Sequence, residues 1–511
     1  MRTSLTLRRL ALACLCALCT GCAAVNPLKT APPSADRPWN AAAASQQLAA
    51  EADRMTNDAA APAIDPARTY TLVDLVDLAQ RSNRSTRAAW QAARSAAAGV
   101  GLSQAEFYPV LVLLASYGGG LWSMDMNFNN NLRGLGNRAD LIGALLGKDV
   151  PADLNLDLSA SGTYRALNTG AALRWMLFDF GEREARMSAA KRAQLAANLS
   201  FNATHQAVTF KVMESYYAWQ AAKRQLGAAV SASEAAQKVA DAADAKAGNG
   251  LLTEPLRLQA RQAGAEADYA AQTARAAADT AWIDLAEAVG IPPGTSLKIA
   301  DTDYAKLEQE MQKPLDAHIR AALSTRPDLL AKVAVVQAKE AELHAARADL
   351  LPKLSLDGVA GYTRFDTSVR NTGPLDEFGL GVQNYGGFLT VQWPLFTGFA
   401  EQNKVRLAET QRGAATEELA LAREKTIAEV WRAYTRAKNA LARRESAAEL
   451  VNATRKSYDA ALAGFDRGLV PIQDVLTAQA AWSQATALEA GADSEIATSL
   501  AALAFGSGSL K

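Results

Sequence analysis

Four cysteines and three histidines are the first candidates for side-chain chemistry in this 511-residue chain. Thiols serve as nucleophiles, metal ligands, disulfide partners or lipid acceptors. All four, Cys14, Cys16, Cys19 and Cys22, stand in one stretch, LALACLCALCTGCAAVNP, residues 10–27. His205, His318 and His344 each stand alone in helical text, so no HExxH pair or zinc spacing forms around them. GVG at Gly99 and GGG at Gly118 lack the strand–turn–helix setting of a nucleotide loop, and Gly147-Lys148 has no P-loop before it. The sequence therefore predicts no catalytic residue, no metal site and no bound cofactor.

The cysteines belong to a leader. Arg2, Arg8 and Arg9 precede an apolar run from Leu10 to Leu18, and Gly21 marks a small-residue cleavage zone. Residues 1–21 read as a secretory signal, too short to span a bilayer. Cleavage before Cys22 removes three thiols and leaves one at the new N-terminus. CTGC resembles a bacterial lipobox, in which that cysteine takes a lipid, although Cys19 stands where the pattern usually has Leu and Leu18 is beside it. An ordinary signal cut elsewhere would instead leave an odd thiol in an oxidising compartment. Lipidation of Cys22 is the expectation, with residues 22–66, rich in Pro and Ala (APPSADRPW, DAAAPAIDPAR), as a tether.

Charge excludes one class of partner. The chain has 53 basic and 53 acidic residues, and loss of three leader arginines makes the mature form about three charges negative, with no footprint for nucleic acid. No later run of 18 apolar residues provides a transmembrane helix. Any further membrane entry must use strands.

The elements that position these residues are written twice. LRWMLFDFGEREARM around Trp175 matches VQWPLFTGFAEQNKV around Trp393 at an offset of 218. The same offset takes Val212 and Tyr216 to Val430 and Tyr434, GLLTEPLRLQA at Gly250 to GLVPIQDVLTAQ at Gly468, and Leu285 to Leu503. Upstream, AEFYPVLVL at Pro109 matches ADLLPKLSL at Pro352 at an offset of 243. The difference lies in WSMDMNFNNNLRGLGNRADLIGALLGKDV, which reads as a long loop. The repeats span 67–290 and 315–508, joined by a linker, 291–314.

Each repeat carries the same order: a helix (72–106; 316–350), a strand–loop–strand region, a proline-free helical run (Glu182–Gly248; Ala400–Asp466), a Gly-Leu turn and another helix (253–289; 471–505). Runs this long without stops argue for coiled coil. Ala415, Leu419, Ala422, Thr426, Val430, Ala433, Ala437 and Leu441 recur at three- and four-residue spacing. A 67-residue helix is about 100 Å long, which two helices of about 35 residues match end to end. The lengths suggest stacking 253–289 on 316–350 and 471–505 on 72–106, with the linker bulging at the waist.

In KLSLDGVAGYT, Leu354, Leu356, Gly358, Ala360 and Tyr362 share one face; in NYGGFLTVQWP, Tyr385, Gly387, Leu389, Val391 and Trp393 do. Ala171, Leu173 and Trp175 repeat the pattern. Segments of about 10 alternating residues with terminal aromatics fit an outer-membrane barrel or a soluble antiparallel sheet with one wet face, and the leader and the flanking rods favour the barrel. Four strands cannot close, and an open edge in lipid leaves backbone groups unpaired, so the chain must oligomerise to span. Physics demands closure without choosing between two, three and four copies.

Over residues 70–508 the sequence resembles the TolC family of outer-membrane efflux channels, and among them the lipoprotein members. The resemblance rests on the duplicated halves, the WxLF junctions (Trp175–Phe178, Trp393–Phe396) and the paired Gly-Leu turns. It implies a mainly α chain with a membrane β-barrel: a homotrimer with a 12-stranded barrel, four strands per chain, and a periplasmic coiled-coil α-barrel. Such a trimer is the exit duct of a tripartite pump for small toxic compounds or drugs, with a periplasmic adaptor and an inner-membrane transporter as partners. Gly250, Leu251, Leu252 and Thr253, with Gly468, Leu469, Val470 and Pro471, then form the adaptor-docking tip. Asp474 matches a position that contributes acids to the closed aperture. Its first-repeat counterpart is Leu256 and Thr477 follows, so a charged lock is reduced here. The alternatives are an exit pore for a secreted polypeptide and a non-spanning coiled-coil lipoprotein.

Overall fold

The computed structural model describes residues 64–131, 153–301, 313–369 and 377–510, with positions 48–49, 51–52 and 55 besides. The signal, Cys22, most of the tether, residues 132–152 and part of the linker lie outside the described residues. Asp65–Lys511 form one compact unit.

Its elements run β1 (Thr69–Tyr70), α1 (Leu72–Ser82), α2 (Arg84–Ala105), β2 (Val110–Asn131), β3 (Asp153–Phe178), α3 (Glu182–Gly248), α4 (Glu254–Val289), β4 (Lys298–Ile299), α5 (Leu315–Thr325), α6 (Pro327–Ala348), β5 (Lys353–Val369), β6 (Glu377–Gln392), α7 (Ala400–Asp466) and α8 (Ile472–Gly506). The two proline-free runs are single helices of 67 residues. Their seams are largely alanine: Ala236, Ala240 and Ala243 on α3 and Ala433, Ala437 and Ala440 on α7 are buried, so neighbouring backbones approach closely.

Both 72–106 and 316–350, expected as continuous helices, are broken. Arg326 precedes Pro327, which disfavours helical dihedrals in the residue before it, and it sits at φ −64°, ψ 119°. Asn83 breaks the first at φ −66°, ψ 131° and caps α2 by accepting from the Ser85 N–H. These breaks are 243 residues apart, so the interruption is itself duplicated.

The expected stacking is corrected. α4 ends against the break at Asn83: Ser82 Oγ donates to the Val289 carbonyl at 2.8 Å and Asn83 Nδ2 to that of Ala288 at 3.1 Å. α8 ends against the break at Arg326, where Thr325 Oγ1 donates to the Ser507 carbonyl at 3.3 Å. Each closing helix therefore meets the opening helix of its own repeat. Length matching admits both pairings; only the ends distinguish them.

The sheet order is β2-β3-β5-β6, all antiparallel, with a separate parallel pair β1-β4 at the waist. The strands outrun the expected ten residues: β2 has 22, β3 26, β5 17 and β6 16. Residues 122–131, expected as loop, belong to β2. The upper part of the β2–β3 hairpin, from Ser161 to Asp153, pairs within itself beyond the end of β5.

Strand becomes helix at the WxLF junctions by one device used twice. Trp175 Nε1 donates to the Phe107 carbonyl at 3.1 Å and Trp393 Nε1 to that of Leu350 at 3.2 Å. Two consecutive residues of positive φ follow, Phe180–Gly181 and Gly398–Phe399. Ion pairs repeat too: Arg186 with Glu106 at 3.6 Å and Lys404 with Asp349 at 3.1 Å. Midway down the rods, Asp493 of α8 takes Arg224 of α3 at 2.7 Å and Arg444 of α7 at 2.9 Å, tying three helices.

Candidate functional site

The two Gly-Leu turns end α3 and α7 in the same way. Asn249 and Arg467 leave the helix, Gly250 and Gly468 follow at φ 70° and 72°, and Leu251 and Leu469 bond back. Leu251 N–H donates to the Lys246 carbonyl at 2.9 Å and Gly250 N–H to that of Ala247 at 3.0 Å. Leu469 N–H reaches Gly464 at 2.8 Å and Gly468 N–H reaches Phe465 at 3.0 Å. This is the Schellman arrangement, whose left-handed residue favours glycine.

That motif usually buries the residue after its glycine against the preceding turn. Here Leu251 is 75% and Leu469 76% exposed, so each turn presents one uncovered leucine. The remaining tip residues divide. Thr253 and Pro471 are exposed helix starts. Leu252 turns inward, packing with Leu256 on a core of Val239, Ala243, Phe465, Ile472 and Val475 that unites all four helix ends. Val470 is half-buried and lies over Gly464, where an added Cβ would meet Val470 Cγ2 at 2.5 Å. Gly464 was not singled out in the sequence; only the fold back of Val470 gives it a purpose.

Two polar devices at the tip also escape sequence reading. Lys246 Nζ donates to the Phe465 carbonyl at 2.9 Å and stands 3.7 Å from the centre of its ring, joining the ends of α3 and α7. Arg257 and Arg261 of α4 both reach Asp244 of α3, at 3.2 and 2.8 Å, and Arg257 also pairs with Glu254. Hydrogen bonds donated by Arg261, and next by Arg257, hold the Asp244 carboxyl below its usual range, and those from Arg257 do the same for Glu254. The Glu254–Arg257 and Arg257–Arg261 spacings were visible as helix-face neighbours; Asp244, across the turn, was not. Asp474 stands exposed in the first turn of α8, its N–H bonded to the Pro471 carbonyl at 3.1 Å. Leu256, its counterpart, faces the core.

The sheet is the second candidate surface. Strand register places Trp175, Leu356 and Leu389 in one row of a common face. Above them stand Leu111 and Leu173, then Leu113, Ala171, Ala360 and Tyr385, then Ala115 and Tyr362, then Tyr117 and Leu167. With the row of Phe178, Leu354 and Val391 below, six rows make a band about 35 Å long along the strands. Tilted by about 40°, it is about 27 Å tall, close to the apolar belt of about 25 Å on outer-membrane barrels. Tryptophans mark its lower rim and tyrosines its upper. Thr169 and Gln383 are its polar members before Arg364 ends it. At the same levels the other face carries Arg174 and Asp357, paired at 2.7 Å, with Ser355, Thr390, Asn168, Thr363 and Asn384 among Val110, Val112, Leu114 and Phe388. Among the described residues no helix is long and apolar enough to cross a membrane, and no cluster of metal-ligating side chains forms. Cys22 lies outside the described residues.

Comparison with known proteins agrees with this geometry. Over 86% of its length the chain superposes on 85% of the Campylobacter jejuni CmeC outer membrane channel, with a TM-score of 0.67 at 18% identity. The outer membrane protein VceC of Vibrio cholerae gives a TM-score of 0.64 at 17% identity, over 86% of this chain and 96% of that one. The open state of the Neisseria gonorrhoeae MtrE outer membrane channel gives 0.62 at 17%, over 86% and 88%. Protein CyaE of Bordetella pertussis is 28% identical over 315 residues, 61% of this chain; the alignment covers 64% of that relative's length. The outer membrane efflux protein family matches at residues 75–291 and 318–509, nearly all of both repeats, and the chain belongs to that family.

Proposed function

We propose that the chain is the exit duct of a tripartite efflux system, exporting small toxic compounds across the outer membrane. One observation carries this reading. The sheet has two free edges, β2 and β6, both bearing the apolar band. In lipid an open edge costs several kcal/mol per unpaired group, so β2 of one copy must pair with β6 of the next. Three copies give twelve strands in one barrel, with the rods continuing it into the periplasm.

Leu251 and Leu469 offer an apolar contact to the hairpin tips of a periplasmic adaptor, and an inner-membrane transporter supplies the energy. Asp474, repeated by symmetry, forms an acidic ring at the aperture that favours cations. The mature N-terminus is anchored by lipid on Cys22.

Planar-bilayer recording tests the duct: purified trimers should give discrete conductance steps, and well-folded protein without pores defeats the reading. Labelling with radioactive palmitate tests the anchor. Cys22→Ala should abolish incorporation, and unchanged labelling removes that site.

A further inference from the structure

Above Arg364 the two faces of the sheet exchange character. The outward face, apolar for six rows, turns polar on β3 and β5, where Arg165 pairs in register with Asp366 and Thr163 with Ser368, and keeps Leu121 of β2 as its apolar member. The inward face, carrying Arg174, Asp357 and Asn168 lower down, turns aromatic. Ala166, Phe365 and Leu380 share one row, Gly120, Tyr164 and Thr367 the next, and Trp122 follows. A strand pointing its apolar side chains at lipid has no need of this switch, and one merely leaving the membrane would become polar on both faces.

The rings do not fill one another's space as a plug would. Tyr164 lies against Gly120, whose absent Cβ would sit 3.0 Å from the ring; a Cβ on Gly162 would first meet the Ser368 carbonyl, at 1.9 Å, and then Trp122 Nε1 at 3.0 Å. Tyr164 and Phe365 are neighbours, with ring centres 6.4 Å apart and planes at 41°. They remain 38% and 41% exposed, so their outer surfaces are open. Polar groups beneath them are occupied: Trp122 Nε1 donates to Thr367 Oγ1 at 3.1 Å, and Thr367 Oγ1 donates to the Thr163 carbonyl at 3.2 Å. Among the described residues the Tyr164 hydroxyl has no bond within the sheet. Among the described residues the nearby charges, Arg165, Arg364 and Asp366, stand on the opposite face.

We propose that Tyr164, Phe365 and Leu380, backed by Trp122, form a shelf near the outer mouth of the duct that binds uncharged planar aromatic solutes during exit. Rings stack on Tyr164 and Phe365, and a solute hydroxyl or amine meets the Tyr164 hydroxyl. An ionised solute finds no counter-charge there. The shelf rests on the duct reading, because only a closed barrel makes this face a lumen.

The test uses full-length protein in planar bilayers, with 1-naphthol added on the outer side and cyclohexanol as a non-aromatic control. 1-Naphthol should reduce single-channel current reversibly, and cyclohexanol should not at equal concentration. Tyr164→Ser with Phe365→Ser should raise the half-blocking concentration about tenfold. Phe365→Leu, which keeps the apolar volume, should raise it about threefold. Equal block in all three proteins, or no block in the parent, overturns the shelf while leaving the duct intact. If the variants instead raise the unblocked conductance several-fold, the rings close the mouth and the binding proposal is wrong. Absence of any pore from folded parent protein defeats both readings.

Discussion

Asn83 joins two helices with one side chain: its Nδ2 donates to the Ala288 carbonyl at 3.1 Å while its Oδ1 accepts from the Ser85 N–H at 2.9 Å. The first bond satisfies a carbonyl at the end of α4, and the second satisfies an orphan donor at the start of α2. Ser82, alongside, shares its proton between the Leu78 and Val289 carbonyls. Two short helices thereby behave as one strand of the rod beside the unbroken α3.

Replacing Asn83 should separate these duties. Asn83→Ala loses the cap and the donor and is expected to cost about 1–2 kcal/mol. Asn83→Asp keeps a capping oxygen and loses only the donor, so it should fall between. Thermal midpoints of the purified protein in detergent give the order. Equal midpoints for parent and Asn83→Ala would mean the stack is held by packing alone.

Much of the architecture was legible because its signals are local. The 67-residue helices contain no proline, and the seam from Ala415 to Leu441 keeps its spacing, so both ends and face could be read. The stacking partners could not. Helix lengths match for either pairing, and the deciding contacts, Ser82 with Val289 and Thr325 with Ser507, join residues about two hundred positions apart. Strand length was missed for a different reason: residues 122–131 are rich in Asn and Met, and composition there reads as loop although cross-strand pairing with β3 continues. At the tip, glycine and leucine identified both turns. That Leu252 faces inward and Leu251 outward depends on the turn geometry, which spacing alone does not fix.

Acid should loosen the junction between sheet and rods. Asp349 is partly buried, which raises its pKa, but Lys353 and Lys404 outweigh this and hold it at about 2, against an ordinary 3.8. A depressed carboxyl adds stability that is fully present above its unfolded value and is lost as pH falls towards its folded one. Unfolding midpoints should therefore drop between about pH 4 and pH 2. Asp349→Asn should lie below the parent at pH 7 and converge with it at the acid end. A constant gap at every pH would show that the charge is not what matters.

Glu489 carries the opposite sign. Burial first, then the neighbouring Asp493 carboxylate, raises its pKa, with Arg224 and Arg444 only partly compensating. The folded chain thus holds this proton more tightly than the unfolded one, and ionisation at neutral pH opposes folding. Glu489→Gln should raise the midpoint at pH 7, and the gain should vanish as pH falls below the unfolded carboxyl value. A destabilised Glu489→Gln would point to a contact made by the carboxylate across the subunit boundary.

The tip turns allow folding and docking to be separated. Leu469 is 76% exposed and touches little, so Leu469→Glu should shift stability by no more than about 0.5 kcal/mol. If it anchors an adaptor, the same change should slow dye efflux from cells dependent on this duct by about tenfold or more. Gly468→Val acts on the backbone instead: φ is 72°, and a branched side chain there should cost about 1–2 kcal/mol. Trimer yield and midpoint should fall for Gly468→Val and hold for Leu469→Glu. Leu251→Glu, with the same exposure on the other repeat, should repeat the efflux loss. Normal efflux in both leucine variants would make the turns chain reversals only, and loss of trimer with either would make the leucines structural.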